Sequence, residues 1–237
     1  MTLREIVYMV LDEIKNSSDD RYFEEEHVIF LADKYRAFLL KQRYGSDLKK
    51  PVPESNYQTI CLPLEEPDIE DVSCYTGPRL MSSYEIPSFM NIGTKRIFPM
   101  KDFTTIYFTM VSRDRFNYVG INKWLTNIIY ATKGPDNRLH LKSGNPQHKY
   151  LKQIKLNAVF ADFKEASELE CDNIINSGDP EACHIKPLLD REYPLEPALV
   201  PPLIELIVKE LIPAVYKPED NVNNAADDLS KVKNESK

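Results

Sequence analysis

The chain has 237 residues, 42% hydrophobic and 28% charged, with a net charge of −7, enough for one large domain or two small ones with a proper core. Its start, MTLREIVYMVLDEIK, carries charge through its apolar positions, and no uninterrupted apolar run approaches the roughly 18 residues of a membrane span. A signal peptide and a membrane partner are therefore not expected, and synthesis in the cytosol is.

Charge is unevenly spread. Residues 1–50 carry −1, residues 51–90 carry −6, residues 91–160 carry +9 and residues 161–237 carry −9. A basic middle between acidic ends can meet nucleic acid, an acidic partner, or the acidic ends of neighbouring copies.

In chain order, Thr2-Leu3-Arg4-Glu5 fits a capping box, and Leu3, Ile6, Val7, Val10, Leu11 and Ile14 follow at helical spacing. NSSDDR (16–21) is a polar break. A second helix is expected from about Phe23 to Tyr44, with Glu24, Glu25 and Glu26 at the positive end of its dipole. The two helices read as an αα-hairpin. On a helical projection the second shows Val28, Leu31, Ala32, Tyr35, Phe38 and Leu39 on one face, and Phe30, Ala37, Leu40 and Tyr44 roughly opposite, with Lys34, Arg36, Lys41 and Arg43 on the flanks. One stripe suffices for a surface helix. The second stripe, Phe30, Ala37, Leu40 and Tyr44, is the candidate intersubunit interface, because a monomer rarely leaves such a patch in water.

After LKKPVPES the character changes. NYQTICLPL (56–64), RLMSSYEI, KRIFPM, TTIYFTMV, RFNYVGI, TNIIYAT, RLHLK and KQIKLNAVFADF all favour strands, with turn signals at RDR, KGPDN and SGNPQ. ATKGPDNRLHL is a hairpin candidate, and an antiparallel sheet or small barrel is expected. Residues 170–187 read as a loop. In 193–216 helix returns, with Pro201 and Pro202 at its start and Pro213 ending or kinking it. Leu203, Ile204, Leu206, Ile207, Val208, Leu211 and Ile212 wrap most of that helix, which must be covered nearly all round. The fold class is α+β: an N-terminal hairpin (1–50) and a C-terminal helix with polar tail (188–237) form a helical base, and a mainly antiparallel β domain (51–187) is inserted.

Chemistry is sparse. Seven glycines, no two closer than ten positions, remove both phosphate-cradling loops. Metalloprotease, serine-hydrolase and catalytic-cysteine signatures are missing too. The four cysteines show no CxxC spacing and are expected to be free thiols. Cys171, Cys183 and His184 lack a fourth ligand for zinc, and PEDNVNNAADDL lacks EF-hand spacing. No catalytic residue, metal or cofactor is expected. The aromatics Phe103, Tyr107, Phe108, Phe116 and Tyr118 could stack on single strands, although at strand spacing aromatics serve as core more often. A nucleic-acid-binding protein using the basic 91–160 segment is the alternative reading.

MTLREIVYMVLDEIK, the DDR break, HVIFLADKYRAFLLKQRY, ESNYQTICL, YPLEPALVPPLIELIVKEL and PEDNVNNAADDL together resemble the ring proteins of crAss-like bacteriophages, most closely over residues 2–61 and 190–229. These are head-to-tail connector components of short-tailed phages. The resemblance implies a structural virion protein, not an enzyme: a ring of twelve copies with a central channel, assembled in the host cytoplasm. Its partners would be the portal protein and neighbouring tail rings, with DNA passing through the channel without specific binding. The adaptor-like helical start favours the ring next to the portal. In this reading Lys95, Arg96, Arg113, Arg115 and Lys123 form a basic surface toward an acidic partner, since phosphates held tightly would retard a sliding genome.

Overall fold

The computed structural model describes residues 1–17, 23–45, 50–67, 79–99, 107–122, 124–171 and 187–215. The tail beyond 215, Cys74, Cys183, His184 and Lys123 lie outside them, as does most of the 170–187 segment.

Helix α1 spans Leu3–Ser17 and opens on the capping box: Thr2 N–H donates to Glu5 Oε2 at 2.8 Å and Glu5 N–H to Thr2 Oγ1 at 3.3 Å. Leu3, Ile6, Val7, Val10 and Ile14 are all buried on its one apolar face. Helix α2 spans Glu25–Tyr44. The strands are β1 (Gln58–Glu65), β2 (Arg79–Ser82), β3 (Arg96–Pro99), β4 (Tyr107–Met110), β5 (Ile128–Lys133), β6 (Leu139–Ser143) and β7 (Gln153–Ala158). Seven of the eight strand-favouring segments are strands. The exception, RFNYVGI, is a one-turn helix α3 (Arg113–Phe116) running into a loop, because Ser112 and RDR start a helical turn before the aromatics can alternate. A short α4 (Phe163–Glu168) is capped by Asp162, and α5 spans Val200–Val215. α5 thus runs two residues past Pro213, which was expected to end or kink it.

The sheet order is β3-β7-β1-β2-β6-β5-β4. Neighbours pair antiparallel except β4 and β5, which run parallel. The expected hairpin is β5–β6, closed by Gly134 N–H to Arg138 O at 2.8 Å, with Asn137 at φ 58 supplying the left-handed position. The edge strands β3 and β4 approach one another, so the sheet curls into an incomplete barrel. Its inner face packs Ile60, Leu62, Leu141, Ile154, Leu156 and Phe160. In β4, Phe108 and Met110 pack against this core while Tyr107 and Thr109 face out, as their alternation requires.

A second core joins the helices. Leu203, Ile207 and Leu211 of α5 sit among Leu3, Ile6, Val10, Val28, Leu31 and Leu40 of α1 and α2. The start of the chain meets the stretch that leads into α5 here: Leu3 N–H donates to Arg191 O and Tyr193 N–H to Met1 O. The C-terminal helix thus packs on both N-terminal helices.

The expectation of free thiols is corrected at one pair. Cys61 on β1 and Cys171 beyond α4 form a disulfide, their Cα atoms 4.7 Å apart. A separation of 110 residues hides the pair in sequence, and Cys61 N–H bonding to Leu169 O at 2.8 Å brings the two segments together.

Candidate subunit interface

The second stripe of α2 divides. Leu40 is 0% exposed, and Tyr44 is buried with its hydroxyl donating to Glu196 Oε1 at 2.8 Å. Both belong to the chain's own core, so neither offers surface to a neighbour. Phe30 stands 64% exposed and Ala37 is half-buried. Phe38, assigned to the inward face, is 53% exposed. Arg36, assigned to a flank, is 0% exposed. The reason is that α2 is wedged between α5 and the 160–163 segment of the sheet, so one continuous buried arc runs from Leu31 through Val28, Leu39, Ala32 and Arg36 to Leu40 and Tyr44. It covers more than half the helix. What remains outside is a row at Phe30, Lys34 and Phe38, with Lys41 beside it.

Arg36 fixes α2 to the sheet. Its Nε donates to Pro194 O at 2.9 Å and its Nη1 to Phe160 O at 3.0 Å, with Asp33 Oδ1 3.6 Å away. Asp33 also accepts the backbone N–H of Phe163 at 3.1 Å, at the start of α4. Burial outweighs the mutual attraction of the pair: it pushes Asp33 up to about 6 against the opposing pull of Arg36 and the Phe163 N–H, and it lowers Arg36. The folded state therefore holds the Asp33 proton more tightly than the unfolded chain does. Stability from this group is fully present below the unfolded value near 3.8 and is lost as pH rises through about 6. Thermal unfolding followed by circular dichroism should show the wild type more stable at pH 5 than at pH 8, by on the order of 1 kcal/mol from this group. Asp33→Asn should flatten that slope.

On its other side α2 is tied to α5. Lys34 Nζ donates to Glu210 Oε1 at 2.9 Å, and the Tyr35 hydroxyl donates to the same carboxylate. The Tyr35 bond, then the Lys34 bond, hold Glu210 below the usual carboxylate range. Across α5 from Glu210 the surface changes. Ile204, Val208 and Ile212 recur every fourth residue and, with Met9 of α1, line an apolar groove of about 830 Å³ between α1 and α5. Met9 is 48% exposed. The covering that so apolar a helix demands is thus incomplete on this side among the described residues. A second depression of about 730 Å³ lies beside Phe30 and Ala37, rimmed by Glu26, Asp162 and Lys164.

The basic candidates are less alike than their sequence suggests. Lys95 Nζ lies 4.4 Å from the Phe89 ring centroid and is lowered by burial, then by Lys133. Arg96 pairs with Glu54 at 2.9 Å. Arg113 and Arg115 are exposed on α3. Strand directions put the start of β3 and the end of β4 at the same end of the curled sheet, so these four share one end. Beyond α3 the turn carries Tyr118, Ile121 and Trp124 outward, Trp124 at 81% exposure. Of the stacking candidates, Tyr107 and Tyr118 are exposed, Phe108 and Phe116 half-buried, and Phe103 outside the described residues. Ile121 was missed because it sits in a segment that reads as strand, and Trp124 because it stands between two such segments.

Two comparisons bear on the whole chain. A relative, "Ring protein 2" of Bacteroides phage crAss001, is 53% identical over 230 residues, covering 97% of this chain and 98% of the relative. The family model described as "Phage tail ring protein 2" matches residues 5–229, extending the likeness of the two ends through the β-rich middle. The chain belongs to the phage tail ring protein 2 family.

Proposed function

We propose that this protein is a structural virion component that closes into a ring of twelve copies in the connector between portal and tail of a short-tailed phage. The ring leaves a channel for genome passage and a platform for tail attachment, and assembles in the host cytoplasm. The observation that carries this is the near-complete match to Ring protein 2 of a crAss phage. The exposed Phe30 and the open apolar side of α5 support it, because the described residues of one subunit leave both surfaces uncovered. The helical start, similar to short-tailed phage adaptors, is the reason to place the ring beside the portal. The end of the sheet bearing Lys95, Arg96, Arg113 and Arg115 is then the surface toward an acidic neighbouring ring.

Electron microscopy of the purified chain and of the native particle tests the reading. Closed rings with twelve-fold symmetry at the portal–tail junction are the expected result. A chain that stays monomeric at high concentration and forms no ring in the particle would end it.

A further inference from the structure

We propose that neighbouring copies join head to tail, with the exposed Phe30–Lys34–Phe38 ridge of α2 in one copy seated in the groove between α1 and α5 of the next. The inference rests on the ring reading above and assigns the two surfaces that close the ring.

The ridge is a row at i, i+4 and i+8 on the outer arc of α2, and Phe30 and Phe38 supply its two apolar knobs. The floor of the groove is also an i, i+4, i+8 row, Ile204, Val208 and Ile212, with Met9 as its wall. Packing an i±4 ridge of one helix into the groove beside an i±4 ridge of another is the commonest way two helices meet. Lengths agree: the knobs of the ridge are eight residues apart, about 12 Å of helix, and the row from Ile204 to Ile212 spans the same. Charge agrees as well. Lys41 lies beside the ridge and Glu205 stands on the rim of the groove with Lys209, while Lys34 of the ridge is held by Glu210 of its own subunit.

Position on the subunit decides the type of contact. Glu210 marks the side of α5 that faces α2. Ile204, Val208 and Ile212 face the other way, toward α1. Donor and acceptor therefore lie on opposite flanks of one three-helix layer. A contact between unlike surfaces is heterologous, and repetition around an axis is what closes a ring of more than two copies. A patch pairing with itself would stop at a dimer.

The test uses full-length chain, native mass spectrometry and sedimentation under the conditions in which the wild type closes. Phe38→Glu should spoil the ridge and leave the groove intact; Met9→Glu should do the reverse. Both positions are about half exposed, so circular-dichroism melts should match wild type and separate lost assembly from lost folding. Each variant alone should lose rings completely. Mixed at high concentration, the two should form one-to-one heterodimers and nothing larger, because only one productive contact remains. Rings persisting in either variant, or a mixture that stays monomeric, would overturn this contact and leave the ring reading standing. A wild type that never closes, in solution or in the particle, fails the ring reading itself.

Discussion

Leu40→Asp should remove the folded subunit, not merely its assembly. Leu40 is fully buried among the α1, α2 and α5 side chains. Truncating a buried leucine costs about 2–5 kcal/mol, and a carboxylate placed in the same apolar site adds several more unless it protonates. The sum takes most or all of the roughly 5–15 kcal/mol that holds a domain together. Soluble yield, far-ultraviolet circular dichroism and limited proteolysis should all report an unfolded or aggregated chain. Phe30→Asp, ten residues earlier on the same helix, should behave differently. Phe30 is mostly in solvent, so the change should alter subunit stability by no more than about 0.5 kcal/mol, and any loss of rings would then belong to the interface. A Leu40→Asp chain that melts like wild type would show that α2 is packed otherwise than described.

The contrast between these two positions shows how far the sequence could be read. Spacing alone located α1, its capping box and its buried face, since Leu3, Ile6, Val7, Val10 and Ile14 form one uninterrupted stripe. It also located seven strands and the β5–β6 turn, where local chemistry is decisive: Gly134, Pro135 and Asn137 demand a turn whatever lies around them. For α2 the stripes were visible, but which elements covered them was not. Leu40 and Phe30 both look like members of a second face, and only the wedge between α5 and the sheet separates them. Arg36 was the hardest position to foresee. A basic residue beside apolar ones normally snorkels to water, and its partners Phe160 and Pro194 lie 124 and 158 residues away. The Cys61–Cys171 link was hidden by the same kind of distance. The ring family itself was legible, because long strings at both chain ends carry it.

Arg36→Met should destabilise the subunit by about 3–5 kcal/mol, the usual cost of breaking a buried ionic cluster from one side. Methionine fills much of the volume, so the loss is chiefly electrostatic. It strands the carbonyls of Phe160 and Pro194, each about 1–3 kcal/mol when left without a donor, and it leaves the Asp33 carboxylate buried without its cation. Asp33 can relieve its part by taking a proton. The penalty should therefore be smaller at pH 5 than at pH 8, and Asp33→Asn should add more stability in the Arg36→Met background than in wild type. Urea unfolding of the four proteins in a double-mutant cycle measures this coupling directly. Additive effects would show that Asp33 and Arg36 do not act as a unit. The consequence for assembly follows from where the cluster sits. Arg36 lies on the same two turns of α2 as Lys34 and Phe38, and it is the side chain that bonds this stretch to Phe160 at the end of the sheet and to Pro194 ahead of α5. Weakening it frees the outer ridge of α2 to shift against the groove of its own subunit. A ring closes only when every copy holds those two surfaces at the same angle, so Arg36→Met should impair closure even where the isolated subunit stays folded.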